Sequence, residues 1–268
     1  MKHYAIAGGA EGKSRLKVLS RVMQPYTLSF LQRLGIEPGM HCLDLGCGGG
    51  DVTFELANLV GKSGKVVGLE LDEAIVKLTQ EDCQKLNITN IELKIADAFS
   101  LDEENKYDLA YTRFLLTHLS DPQTVIEKMK AAVKPNALVA VEDIEFAGHF
   151  CYPRSSAFDK YIELYQQVIQ IKGGDSEIGV KLPKMFKKAG FEAVDFNLVQ
   201  PTIMEGEGKL VASITLEKIR NAVLEQGMSS VDEIDAVIAE LQEFAQNPET
   251  MISLPRIFQV WGRKKTAS

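Results

Sequence analysis

The sequence predicts an α/β chain: a doubly wound, mostly parallel seven-stranded sheet with an antiparallel last strand and a helical cap inserted between strands six and seven. Three observations predict it. Short apolar runs alternate with helix-length segments through residues 41–144, the pattern of βαβ units whose parallel sheet is covered on both faces. The first run opens directly into a bare glycine loop, CLDLGCGGGDVT, residues 42–53. Beyond residue 154 long helical stretches take over, and the two remaining strand-like runs lie on either side of the helix-rich segment 209–246.

In order, Leu16, Leu19, Val22 and Met23 share a face, and Leu28, Leu31 and Leu34 continue it past Pro25, so 13–34 reads as helix. GIEPGM turns the chain into HCLDLG, a short buried strand, and DVTFELANLV is an amphipathic helix ending near Gly61. KVVGLEL is the second strand, with a helix over 73–86, and IELKIADA and YDLAYTRF are the third and fourth. A helix over 122–133, stopped by Pro135, precedes the fifth strand, ALVAVEDI. Helices follow over 155–172 and over 179–189, the latter ending at Gly190. FEAVDFNLV is the sixth strand, 209–246 makes two helices broken at Gly227–Ser230, and IFQVWGRK closes the chain as a seventh strand, expected to pair antiparallel with the sixth at the sheet edge. The expected division is an N-terminal helical lid, 1–36; a ligand-binding sheet domain, 37–204; a helical cap, 205–250; and the closing strand, 251–268.

Composition narrows the partners. With 30 basic and 37 acidic side chains the net charge is −7, which argues against a broad nucleic-acid footprint. The short clusters Lys184/Lys187/Lys188 and Arg263–Lys265 read as solvated surface. The four cysteines form no C-x-x-C pair and read as reduced thiols. Neither a signal peptide nor a membrane span is visible, so a cytoplasmic chain with no membrane partner is expected. No ligand-spaced cluster of His, Cys and carboxylates suggests a metal.

The glycine loop discriminates among ligands. A dinucleotide fingerprint G-x-G-x-x-G started at Gly46 fails, because its third glycine falls on Asp51. A P-loop would need G-K-[ST]. Asp44, two residues before the first glycine, would repel a pyrophosphate but would serve a ligand with a cationic amino-acid end and no phosphate.

Asp44-Leu-Gly46-Cys47-Gly48-Gly-Gly50 resembles the D/E-x-G-x-G-x-G motif of the S-adenosylmethionine (SAM)-dependent methyltransferases of the Rossmann-like (class I) superfamily. The resemblance runs over residues 38–145. YAIAGGAEGKSRL and QVWGRK extend it toward a small-molecule subgroup related to ubiquinone and menaquinone C-methyltransferases. It implies that Asp44 serves the ammonium and sulfonium of SAM, and that the backbone of Gly46, Cys47, Gly48 and Gly50 passes close to the cofactor. It implies that Glu70, with Leu71 beside it, holds the ribose hydroxyls, while Asp97 and the Ala98 N–H take the adenine. Thr112 and Arg113 would lie beside the methionine moiety, with Tyr4 and Arg15 closing over it. Each acid has a purely structural alternative: loop brace for Asp44, strand-end surface charge for Glu70, turn cap for Asp97.

The expected reaction is methyl transfer from SAM to a small-molecule O, N or C nucleophile, in which the protein chiefly orients the reactants and excludes water. Candidate bases lie past strands four and five: His118, whose alternative is to brace its own turn, and Asp143 within the cluster Glu142, Asp143, Glu145. His149 and Tyr152 follow them. The competing readings are a SAM-binding scaffold without turnover and a protein or RNA methyltransferase. The acidic balance and the absence of an N/D-P-P-Y motif weigh against the latter. The acceptor is not legible, and the oligomeric state is open, a homodimer included.

Overall fold

The computed structural model describes residues 9–266, with side chains described from Val18 onward. α1 (Gly9–Arg33) runs through Pro25 and leads into the first βαβ units: β1 (His41–Leu45), α2 (Asp51–Val60), β2 (Lys65–Glu70), α3 (Glu73–Lys85) and β3 (Ile91–Ile95). β4 (Tyr107–Arg113), α4 (Pro122–Ala132) and β5 (Val133–Glu145) complete the parallel part. Then come β6 (Cys151–Tyr152), α5 (Ser156–Ile171), α6 (Leu182–Lys188), β7 (Phe191–Val199) and β8 (Thr202–Ile203). α7 (Val211–Glu225), α8 (Val231–Gln246), β9 (Met251–Ser253) and β10 (Arg256–Lys264) end the described chain.

The helices begin where the local chemistry asks for them. Asp72 accepts from Ala74 N and Ile75 N at 2.9 and 3.2 Å to cap α3, and Asp121 with Pro122 opens α4. Ser230 and Glu233 form a reciprocal capping box on α8, at the break expected near Gly227.

The main sheet has seven strands in the order β3-β2-β1-β4-β5-β10-β7. β10 runs antiparallel to both neighbours, β5 and β7. The closing strand and β7 therefore pair antiparallel at the edge of the sheet, as expected, with β7 outermost. β5 also begins four residues earlier than expected and contains Pro135. Its pairing with β4 jumps from Val133 to Leu138, so the proline sits where the ladder needs no N–H donor. A second sheet, β6-β9-β8, was not foreseen; its strands of two or three residues are too short to show a period.

One face of the main sheet packs Leu43, Val67, Val139 and Val141 against α4 and α6. The other packs Cys42, Val66, Leu109 and Tyr111 against Phe30 and Leu31 of α1 and Leu56 of α2. A third core joins α1, α5, α7 and α8 over Ile144 and Phe146 at the carboxyl end of β5. The helices of 205–250 thus share one core with α5 and α1. Among the described residues, no helix is long and apolar enough to cross a membrane.

Candidate functional site

In an open α/β sheet the carboxyl ends of the strands are where a ligand is received. Here the glycine loop covers the end of β1. Gly46 N and Cys47 N both donate to Leu69 O, at 2.8 and 3.0 Å, which draws the loop over β2. Gly46 and Gly50 adopt φ of +70° and +82°, and a Cβ at Gly50 would lie 2.6 Å from Thr79 Cγ2. The Cys47 side chain turns inward: its Sγ would stand 2.9 Å from a Cβ on Gly68. Burial holds that thiol well above the usual cysteine range, so Cys47 offers the site backbone only.

Glu70 closes β2 with its carboxylate gripped by the backbone. Gly48 N donates to Oε2 at 2.9 Å, and Leu71 N and Asp72 N donate to Oε1 at 2.7 and 3.0 Å. A carboxylate offers about four acceptor positions. Three are filled, which leaves Oε2 one for a ligand hydroxyl. A second hydroxyl bond would be shared with, or displace, a backbone donor. Asp97 is exposed and caps the turn of helix at Ala98–Ser100, accepting from Phe99 N at 2.9 Å through Oδ1. Leu71 and Ile95 are exposed by 53% and 54% at the ends of neighbouring strands, two apolar side chains suited to a flat ring. Leu71 was expected from the sequence; Ile95 was not.

Asp44 lies beneath the loop, 2% exposed, with Oδ2 accepting from Thr53 Oγ1 at 2.6 Å. Burial raises its pKa to about 6, against the opposing pull of the Thr53 bond and the Arg113 guanidinium. Strand register makes it the first member of a polar row. Asp44 pairs with Tyr111, Arg113 with Glu142, Glu142 with Gln259, and Gln259 with Asn197, across five strands under α1. Glu142 is fully buried and accepts from Thr27 Oγ1 at 2.7 Å, Gln259 Nε2 at 2.6 Å and the Tyr111 hydroxyl. Thr27 in turn accepts from Arg113 Nη1 at 3.1 Å. Thr27, Tyr111 and Gln259 were missed because nothing local marks them.

The opposite face carries braces. Thr112 Oγ1 donates to Leu45 O at 2.7 Å, tying β4 to β1, so its side chain does not face the methionine moiety's expected place. Asp143 is fully buried and accepts from Thr117 N and Ile144 N at 3.1 and 2.9 Å. Burial raises its pKa to about 7, yet no face of it is open to an acceptor's proton; it holds the loop after β4 in place. Glu145 pairs with Arg256 at 2.5 Å. His118 ends the turn of helix Leu116–His118 in that loop and is half-buried. Phe114, just after Arg113, has φ +57°, a strained backbone for a bulky residue, and its ring packs against the third core. His149 lies deeper in that core, donating from Nδ1 to Ser253 O at 2.9 Å, with burial pushing its pKa down to about 3. Tyr4 lies outside the described residues, as does the Arg15 side chain.

The donor set fits an S-adenosyl cofactor: two carboxylates and a guanidinium around a bare loop, with no lysine among the loop residues to take a phosphate. A cavity of about 230 Å³ lined by Met40, Asp108, Lys134 and Arg263 sits at the opposite, amino end of the strands and is no part of this site.

The family model for a methyltransferase domain matches residues 36–198. A demethylmenaquinone methyltransferase of Lactococcus lactis is 28% identical over 180 residues, which is 62% of this chain and 71% of that protein. The corresponding enzyme of Oceanobacillus iheyensis is 34% identical over 110 residues, 41% of this chain and 46% of that protein; this chain therefore spans under half of that relative's length. The phosphoethanolamine N-methyltransferase 2 of Haemonchus contortus, solved with S-adenosyl-L-methionine, superposes with a TM-score of 0.58 at 17% identity, covering 91% of this chain and 53% of that one. At that identity the likeness is one of fold.

Proposed function

The chain belongs to the SAM-dependent methyltransferases, the family whose domain it matches over residues 36–198, and from that premise we propose that it methylates a ring carbon of a small hydroxylated aromatic acceptor of the quinol type. The observation that carries the methyl-donor half is the conjunction of the bare loop with Glu70, whose carboxylate is pre-aimed by Gly48, Leu71 and Asp72. The acceptor half is supported by the names of the relatives and by Phe114, whose half-buried ring follows the carboxyl end of β4.

SAM, when bound, supplies a methyl group on a sulfonium that leaves as a neutral thioether. The protein's own contribution is placement. Glu70 and the loop amides would fix the ribose, Leu71 and Ile95 would flank the adenine, and Asp97 with Ala98 N–H would read its edge. Asp44, with Arg113 nearby, would complement the charged amino-acid end. The third core would exclude water and turn the acceptor ring toward the carboxyl ends of β1 and β4, which reduces the barrier by orientation. Of the two candidate bases we assign the acceptor's hydroxyl proton to His118, because Asp143 is enclosed by backbone donors.

The test is incubation with methyl-labelled SAM and a naphthohydroquinone, followed by mass spectrometry of the product. A ring-methylated product is expected. Methyl groups found only on oxygen, or transfer only to amines in a parallel panel, would overturn the ring-carbon reading while leaving the family unaffected.

A further inference from the structure

Arg113 stands at the carboxyl end of β4, half-buried, and makes no ion pair with any described carboxylate. A half-buried guanidinium without an anionic partner is costly unless a ligand supplies one. Its described side-chain hydrogen bond goes to a neutral atom, Thr27 Oγ1, at 3.1 Å. The direction of that bond is determined by what lies behind it. Thr27 has a single hydroxyl proton and gives it to Glu142 Oε2 at 2.7 Å, so its lone pairs are left facing Arg113. Glu142 cannot turn away, because Tyr111 and Gln259 hold it from the other sides. Gln259 is locked in turn: Asn197 Nδ2 donates to its Oε1 at 2.8 Å and Arg33 Nη2 at 3.4 Å, which leaves Nε2 for Glu142.

We propose that Arg113 receives the carboxylate of the cofactor's amino-acid end and that Thr27, on α1, is the positioning residue that keeps the guanidinium available for it. The proposal rests on the SAM reading above and assigns one of its subsites. Thr27 is an insulator as well as a tether. It holds Arg113 one hydroxyl away from Glu142; with that hydroxyl gone, the guanidinium is free to fall onto Glu142 as a buried ion pair and leave the site. Four donors of the guanidinium remain uncommitted to Thr27, enough for a two-pronged grip on a carboxylate. Asp44, on the same face of the sheet two strand positions away, is placed for the ammonium of the same ligand end.

The experiment compares two nucleoside thioethers that cannot react. S-adenosylhomocysteine has the amino-acid end and methylthioadenosine lacks it. Calorimetric titration of the wild type is expected to show the first binding at least about tenfold more tightly. Thr27→Val should weaken S-adenosylhomocysteine by about tenfold and leave methylthioadenosine within twofold, and Thr27→Ser should restore the difference. Arg113→Met should shrink the difference between the two ligands by about tenfold, leaving what Asp44 contributes through the ammonium. Equal losses for both ligands in either variant would make the residue structural and overturn the proposal, as would an unchanged S-adenosylhomocysteine affinity. If the Val variant melts too early to titrate, Arg113→Met decides alone, since methionine keeps the aliphatic stem beside the Phe114 ring, over which the guanidinium lies at 5.7 Å. A wild type that binds neither ligand would instead remove the SAM reading itself.

Discussion

The two halves of the candidate site are assembled over very different distances along the chain. Around β1, β2 and β3, Thr53 reaches Asp44 over 9 residues, Gly48 reaches Glu70 over 22, and Asp97 caps its own turn over 2. Around β4, β5 and β10, Arg113 meets Thr27 over 86 residues, and Glu142 meets Thr27 and Gln259 over 115 and 117. The first half is a set of strand-end motifs that each fold with their own βαβ unit. The second exists only once α1, β5 and β10 have come together. The difference teaches where single variants act locally and where they spread.

The largest expected effect tests the acceptor side. His118→Gln keeps similar bulk, but if His118 takes the acceptor's proton it should cost 10²–10⁴-fold in rate, roughly the range of general-base catalysis. The loss should shrink as pH rises and the acceptor ionises unaided, with S-adenosylhomocysteine affinity unchanged. A rate within threefold of wild type at every pH would move the proton to water.

The next variant probes whether the helical core is a separate lid. Leu216 of α7 is fully buried in the core shared with α1 and α5. Leu216→Ala should destabilise by about 2–5 kcal/mol. Because α1 carries Thr27, that loosening should also weaken S-adenosylhomocysteine. A lower melting temperature with unaltered affinity would show instead that 205–250 is a cap independent of the cofactor.

Glu70→Ala should weaken S-adenosylhomocysteine and methylthioadenosine alike, by about tenfold or more, since a charge-assisted hydrogen bond is worth roughly 1.5–3 kcal/mol. Asp97→Ala should cost less, as the Ala98 N–H remains. Unchanged titrations of the Glu70 variant would sink the ribose assignment.

These contrasts follow what was legible in the residues. The βαβ units, the closing strand and the break near Gly227 were readable because each is written in a short window, a period or a glycine; Glu70 and Asp97 were singled out in the same way, as acids at strand ends. Glu142 could be seen as one of three acids but not told from its neighbours. Its alternation with Asp143 sends one carboxylate under α1 and the other toward Thr117, and only pairing with β4 and β10 settles which faces the ligand side. Thr27 and Gln259 look like ordinary helix and strand residues; their role comes from packing. The enclosure of Asp143 was hidden for the same reason, since the burial that raises its pKa comes from a loop the strand pattern does not show.

The smallest expected effect is a cancellation. His149 has a folded pKa of about 3 against roughly 6.5 unfolded. The unfolded state therefore takes up the proton first, and stability from this group is lost as pH falls through 6.5 toward 3. Asp143 and Asp44 act oppositely, with folded values of about 7 and about 6 against roughly 3.9 unfolded. The folded state binds those protons first, so stability rises as pH falls from 7 toward 4. Between pH 6.5 and 4.5 the histidine offsets part of what the two aspartates contribute, and wild-type melting temperature should rise only slightly as pH falls. His149→Asn retains a donor for Ser253 O but cannot titrate, so it should expose the aspartates: its melting temperature should climb as pH drops across that window. A variant that falls with pH as steeply as any ordinary acid-sensitive protein would mean that Asp44 and Asp143 are ionised in the fold, and that their surroundings are wetter than their burial indicates.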